Sequence, residues 1–131
     1  MTPTQYLKDV TAQLTLSPII RSSLITKSWA REKAGYLHLR LTLINGDFVE
    51  IGEYFLMKNG ECITEDYRYQ WMNGKKTELR KRWDNTRHFP DLDNFPHHIH
   101  LANGRVISGT LLSTLQVLQI LQTEIKIERI K

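Results

Sequence analysis

The clearest pattern in the chain is a strict alternation. In Tyr36-Leu37-His38-Leu39-Arg40-Leu41-Thr42-Leu43 every odd position is a leucine, which predicts a half-buried strand of an antiparallel sheet. Asn45-Gly46 marks a hairpin turn, and a second strand follows from Phe48 to Met57. A three-residue loop from Asn45 to Asp47 pairs Leu43 with Val49, Leu41 with Ile51 and Leu37 with Phe55, a better core than a two-residue loop, which sets Leu41 against Glu50. The same register puts Glu53 opposite Leu39 on the leucine face. A carboxylate there either ends the core or has a buried arginine or histidine as partner.

The rest of the chain is read the same way. Thr2-Pro3 is a cap and first helical position, and Tyr6, Leu7, Val10 and Leu14 recur at helical spacing, predicting a helix over 3–14 that Ser17-Pro18 ends. Residues 19–29 are rich in β-branched types and predict a strand. Lys58-Asn59-Gly60-Glu61 turns the chain into a β-rich run from Cys62 to Met72, with Tyr67, Tyr69 and Trp71 on one face and Asp66, Arg68 and Gln70 on the other. After Asn73-Gly74, Glu78–Trp83 is a further strand, with Arg80 and Arg82 predicted on one face. Beyond Asn103-Gly104, Leu111, Leu115, Leu118, Leu121 and Ile125 form an apolar helical stripe from about Thr110, ending in a charged tail near Lys131. The prediction is one α+β domain over residues 1–131, an antiparallel meander of about five strands between an N-terminal and a C-terminal helix.

Composition adds little to the fold and something to the partners. No apolar run reaches the length of a membrane helix, and the N-terminus lacks a signal-like segment. The lone Cys62 has no disulfide partner, and a cytoplasmic protein without a membrane contact is expected. Net charge is +4, with Lys75, Lys76, Arg80, Lys81 and Arg82 crowded into eight residues. Such a cluster suits phosphates or an acidic partner, or else a strand edge protected by charge.

Candidate chemistry is concentrated between Arg80 and His100, where four of the five histidines fall after position 87. Extended backbone would put His98 and His100 on one face and His97 on the other, and Asp84, His88 or Asp91 could complete a metal site. None of the strong zinc spacings is present, however, and no cofactor is expected. Cleaving RNA through its 2′-hydroxyl needs a base, an acid and cations for the charged phosphorane. Histidines supply the first two, Arg80 and Arg82 the third, and Tyr67, Tyr69 and Trp71 are aromatic platforms on which unpaired bases could stack, although such a stripe is more often core. The same residues also admit a purely structural reading, with imidazoles pinning the loop to backbone carbonyls and Trp83, Phe89 and Phe95 plugging the core.

The segments Leu41-Thr42-Leu43-Ile44-Asn45-Gly46, Glu50-Ile51-Gly52-Glu53-Tyr54, Tyr67-Arg68-Tyr69-Gln70-Trp71, Arg82-Trp83-Asp84-Asn85 and Phe95-Pro96-His97-His98-Ile99-His100 together resemble the TumE family of bacterial type II toxins, over nearly the whole chain. Arg82, Trp83, Asp84, Asn85, Phe95, Pro96, His97, His98 and His100 match. The family often shows a His-His or Pro-His pair where this chain has Thr86-Arg87-His88-Phe89, so the resemblance does not carry His88 across. It implies a small cytoplasmic toxin neutralised by a cognate antitoxin. The expected function is growth inhibition by a metal-independent ribonuclease acting on RNA. Its catalytic candidates are His97, His98, His100, Arg82 and Asp84; its substrate-binding candidates are Arg80, Tyr69, Trp83 and His88. The alternatives are a non-catalytic binding protein of a toxin–antitoxin pair and a His/Asp metal-binding protein.

Overall fold

The computed structural model describes residues 1–130, with side chains through Lys126; the charged tail expected near Lys131 lies outside the described residues. Helix α1 (Pro3–Leu16) opens with a reciprocal cap: Gln5 N donates to Thr2 Oγ1 and Thr2 N donates to Gln5 Oε1. Seven strands follow: β1 (Ile20–Ala30), β2 (Ala34–Leu43), β3 (Phe48–Lys58), β4 (Glu61–Met72), β5 (Leu79–Asp84), β6 (His98–Leu101) and β7 (Val106–Ser108). They form one antiparallel sheet in sequence order. Helix α2 (Thr114–Ile130) closes the chain. It starts later than the apolar stripe because Ser113 and Gln116 cap each other.

The α+β meander is as expected, but it has seven strands and not five. The two additional strands, of four and three residues, fall in what reads from sequence as loop. Both are too short to show a period.

Both helices cover the same face of the sheet. Tyr6, Val10 and Leu14 of α1 and Val117, Leu118, Leu121 and Ile125 of α2 join the β2 leucines, Val49, Ile51, Phe55, Tyr69, Trp71 and Trp83 in one buried cluster. The leucine face is as predicted. Its register is not: Leu41 pairs with Val49, Leu39 with Ile51 and Leu37 with Glu53. The turn closes where Leu43 N donates to Asp47 O, so the three-residue loop is 44–46, one residue earlier than expected, which shifts the register by two. A shift of two preserves which side chains face inward, so the core survives the error.

Glu53 is 1% exposed, and hydroxyls hold it instead of a cation. Tyr6 Oη and Thr114 Oγ1 each donate to Oε1 at 2.6 Å, and Thr64 Oγ1 donates to Oε2 at 2.5 Å. This carboxylate ties both helices to β3 and β4. Nearby, Gly35 faces Phe55 across β2–β3, and a Cβ on it would lie 2.2 Å from Phe55 Cε2. Gly35→Ala is therefore expected to lose about 1–3 kcal/mol by overpacking, read as a lower urea midpoint.

Candidate functional site

The opposite face of the sheet carries the alternate, polar residues. Register across four strands puts Gly52, Arg68, Asp84 and His98 in one row, and Gln70, Arg82 and His100 in the next. Four of the five residues predicted to be catalytic thus meet through strand pairing: Asp84 lies opposite His98 and Arg82 opposite His100.

Asp84 is the hub. It is 2% exposed, and its Oδ1 accepts from Thr86 N at 3.0 Å and Thr86 Oγ1 at 2.8 Å. Its Oδ2 accepts from Arg82 Nε at 3.0 Å and lies 3.6 Å from His100 Nε2. Burial alone would raise its pKa; the Thr86 donors, His98 and Arg82 outweigh burial and hold the carboxyl below its ordinary value.

The two histidines on this face differ in access. His98 is 2% exposed and its Nδ1 lies 2.9 Å from the Pro96 carbonyl. A carbonyl only accepts, so Nδ1 carries a proton. Nε2 lies 2.8 Å from Asp84 Oδ1 yet is directed away from a hydrogen bond and has no other partner among the described residues. Buried on both sides, His98 is placed to position Asp84. His100 is partly exposed, and its Nε2 lies 2.9 Å from Arg82 Nη2. Burial and then Arg82 push its pKa down, with Asp84 opposing, so the ring is neutral near pH 7.

Around these groups lies a cleft of about 310 Å³, rimmed further by Arg68, Thr86 and the exposed His88. The loop after β5 covers one side of it, where the Phe89 ring sits edge-on to His98 and His100 at 4.8 and 5.8 Å.

The other predicted site residues lie elsewhere. His97 is on the helix-side face, where its Nδ1 lies 2.9 Å from Tyr67 Oη and its ring stacks on Tyr67. Tyr69 is fully buried, donating its hydroxyl to Leu112 O, and Trp83 is 3% exposed; both are core. Arg80 is the extra residue of a β-bulge, since Trp71 pairs with Lys81 and Met72 with Leu79. The bulge turns it away from Arg82, to within 3.4 Å of Asp47 Oδ2, which also accepts from Trp71 Nε1. The basic cluster is dispersed in the same way: Lys76 lies over Phe48, and Lys81 pairs with Glu124 of α2.

Conversely, Arg68 and Thr86 belong to the cleft and are absent from the sequence-predicted set. Arg68 could have been found by parity. It alternates with the core residues Tyr67 and Tyr69, as Asp84 does with Trp83.

This constellation is built from the Arg82–Asn85 and Phe95–His100 segments that resemble TumE. The family model described as Toxin TumE matches residues 8–129. The chain belongs to the TumE toxin family. It is thus a toxin component, and membership implies a cognate antitoxin. No curated protein and no solved structure matches the chain. Among the described residues of this TumE-family toxin, no helix is long and apolar enough to cross a membrane.

Proposed function

We propose that this toxin inhibits growth by cleaving RNA in the cytoplasm, as a metal-independent ribonuclease centred on the Asp84–His98–His100–Arg82 cluster. One observation carries the reading. A neutral imidazole and a guanidinium are held 2.9 Å apart in an open cleft by a buried carboxylate. In this reading an entering phosphate draws the Arg82 fork from Asp84 and His100, with Arg68 as a second cation at the rim. His100 Nε2, released from Arg82, takes the 2′-hydroxyl proton. The 2′-oxygen then attacks phosphorus, and His88 protonates the departing 5′-oxygen, leaving a 2′,3′-cyclic phosphate and a 5′-hydroxyl end.

The test is a map of new 5′ ends in cellular RNA minutes after induction without antitoxin. Discrete 5′-hydroxyl ends are expected, absent in a folded His100→Ala variant. Arrested growth over intact RNA would sink the nuclease reading. A pH profile of kcat/KM adds a second check. The depressed pKa of His100 puts the acid-side inflection below about pH 6.5, the ordinary histidine value; an inflection at or above that value would remove His100 as the base.

A second reading is favoured by His98. With Nδ1 given to Pro96, Nε2 points a lone pair into a site where ligand atoms of Asp84, His98 and His100 all lie within 4.8 Å of one another. A divalent ion there would have to expel Arg82 from two of its three ligands. Elemental analysis of toxin purified without chelators decides: stoichiometric metal replaces the metal-independent mechanism, and its absence from active toxin retains it.

A further inference from the structure

Beside the cleft, the open sheet face carries a hollow that neither the fold nor the mechanism above uses. Tyr36 and Tyr54 face each other across β2–β3. Trp29 stacks on Tyr36 at 6.5 Å and leans on Tyr54 at 6.2 Å. All three are partly exposed, so this aromatic row is not core. In the next row stands Gly52, between His38 and Arg68. Glycine weakens a strand interior, and here the backbone does not demand it. A Cβ would meet only ordinary contacts, 3.7 Å from His38 Cδ2 and 3.9 Å from the Arg68 carbonyl oxygen. What the missing side chain leaves is space. A hollow of about 410 Å³ opens over Gly52, walled by Tyr36, Tyr54 and Arg87, within the size range of small-molecule sites.

The hollow adjoins the cleft described above, with Arg68 and Thr86 lining both. Its rim is cationic. Arg68 and Arg87 are exposed and pair with no carboxylate among the described residues: Arg68 donates to Gln70, and Arg87 lies over the Phe95 ring. Two acidic residues also line the hollow, Asp66 on its rim and Glu53, whose carboxylate is buried against Tyr6, Thr64 and Thr114. An aromatic wall, a floor without side chains and two arginines match the base and phosphate of one nucleotide.

We propose that this hollow is a subsite for an unpaired RNA base next to the scissile phosphate, so that the toxin selects single-stranded RNA. The proposal rests on the ribonuclease reading. A base inside a duplex has both faces covered by its neighbours and cannot reach the tyrosines.

The test uses the intact toxin and a short fluorescent, unstructured RNA with 2′-O-methyl riboses, which binds but cannot be cleaved. Wild-type toxin should bind this strand, and a duplex of the same sequence should fail to displace it. Gly52→Val fills the floor with a residue favoured in strands. It should weaken binding about tenfold, the scale of one lost stacking contact, without lowering the urea midpoint. Tyr54→Ala should weaken binding similarly, and it decides the matter if Gly52→Val fails to fold. Unchanged affinity in both variants, with wild-type cleavage intact, overturns the subsite and leaves the ribonuclease standing. Equal displacement by duplex overturns the single-strand preference. Loss of antitoxin binding with RNA binding retained would give the hollow to the antitoxin and overturn the proposal. Wild-type toxin that neither binds nor cleaves RNA ends both readings.

Discussion

Asp84→Asn is expected to abolish toxicity and to slow RNA cleavage about a hundredfold, the scale for catalytic groups displaced by about 1 Å. The carboxylate accepts from three donors, two groups of Thr86 and the Arg82 fork, and the edges of His98 and His100 lie close to it. Asparagine keeps the volume but replaces one oxygen with an amine. That NH2 group must face either the Thr86 donors or Arg82, donor against donor. With the carboxylate gone, Arg82 no longer has a fixed place beside His100. The partly buried Arg82 guanidinium is left without its carboxylate, at a cost of about 1–3 kcal/mol.

The sign of the pH effect separates this loss from a general one. Asp84 has its pKa lowered on folding, so its stabilisation is present above the unfolded value of about 3.9 and disappears as pH falls through the folded value. Urea midpoints measured from neutral pH into acid should fall in that window for the wild type and should not for Asp84→Asn. Equal acid slopes would mean that Asp84 is not the group being paired.

Legibility from sequence followed periodicity. β2, β3 and β4 could be read because inward residues alternate with outward ones over ten residues or more. Their core assignments held even where the register was off by two. The site was half legible. Residue type singled out the segment from Arg82 to His100, but Asp84 meets His98 only because β5 and β6 pair across the loop of residues 85–97. No turn chemistry in that loop announces a hairpin, and β6 is too short to show alternation. Arg80 went astray for a local reason: one bulged residue reverses the face of a side chain, and bulges leave no pattern in composition. The aromatic row was missed because Tyr67, Tyr69 and Trp71 make the denser stripe. Density there marks core, whereas Tyr36 and Tyr54 come together only by strand pairing.

The largest structural loss is expected at Glu53. Glu53→Leu keeps the bulk but removes the one acceptor shared by Tyr6, Thr64 and Thr114, leaving three buried hydroxyl protons without an acceptor and costing about 4 kcal/mol. Glu53→Gln retains a carbonyl oxygen for part of the set and should cost less than half as much. Burial raises the Glu53 pKa, and the donors from Thr114, Thr64 and Tyr6 offset this only in part. Between the unfolded value of about 4.3 and the raised folded value, the folded state binds more protons than the unfolded one, so stability falls as pH rises through that interval. This is opposite in sign to Asp84 and starts at higher pH. Urea midpoints should therefore decline on raising the pH above about 4.3 in the wild type and remain level there in Glu53→Gln. A decline that persists in the variant would assign it to another group. Because Glu53 follows Gly52 on β3 and its carboxylate faces the helices and β4, away from the hollow, Glu53→Leu should also weaken RNA binding in proportion to the unfolded fraction alone. Restored binding in a stabilising osmolyte would separate this effect from the direct one at Gly52.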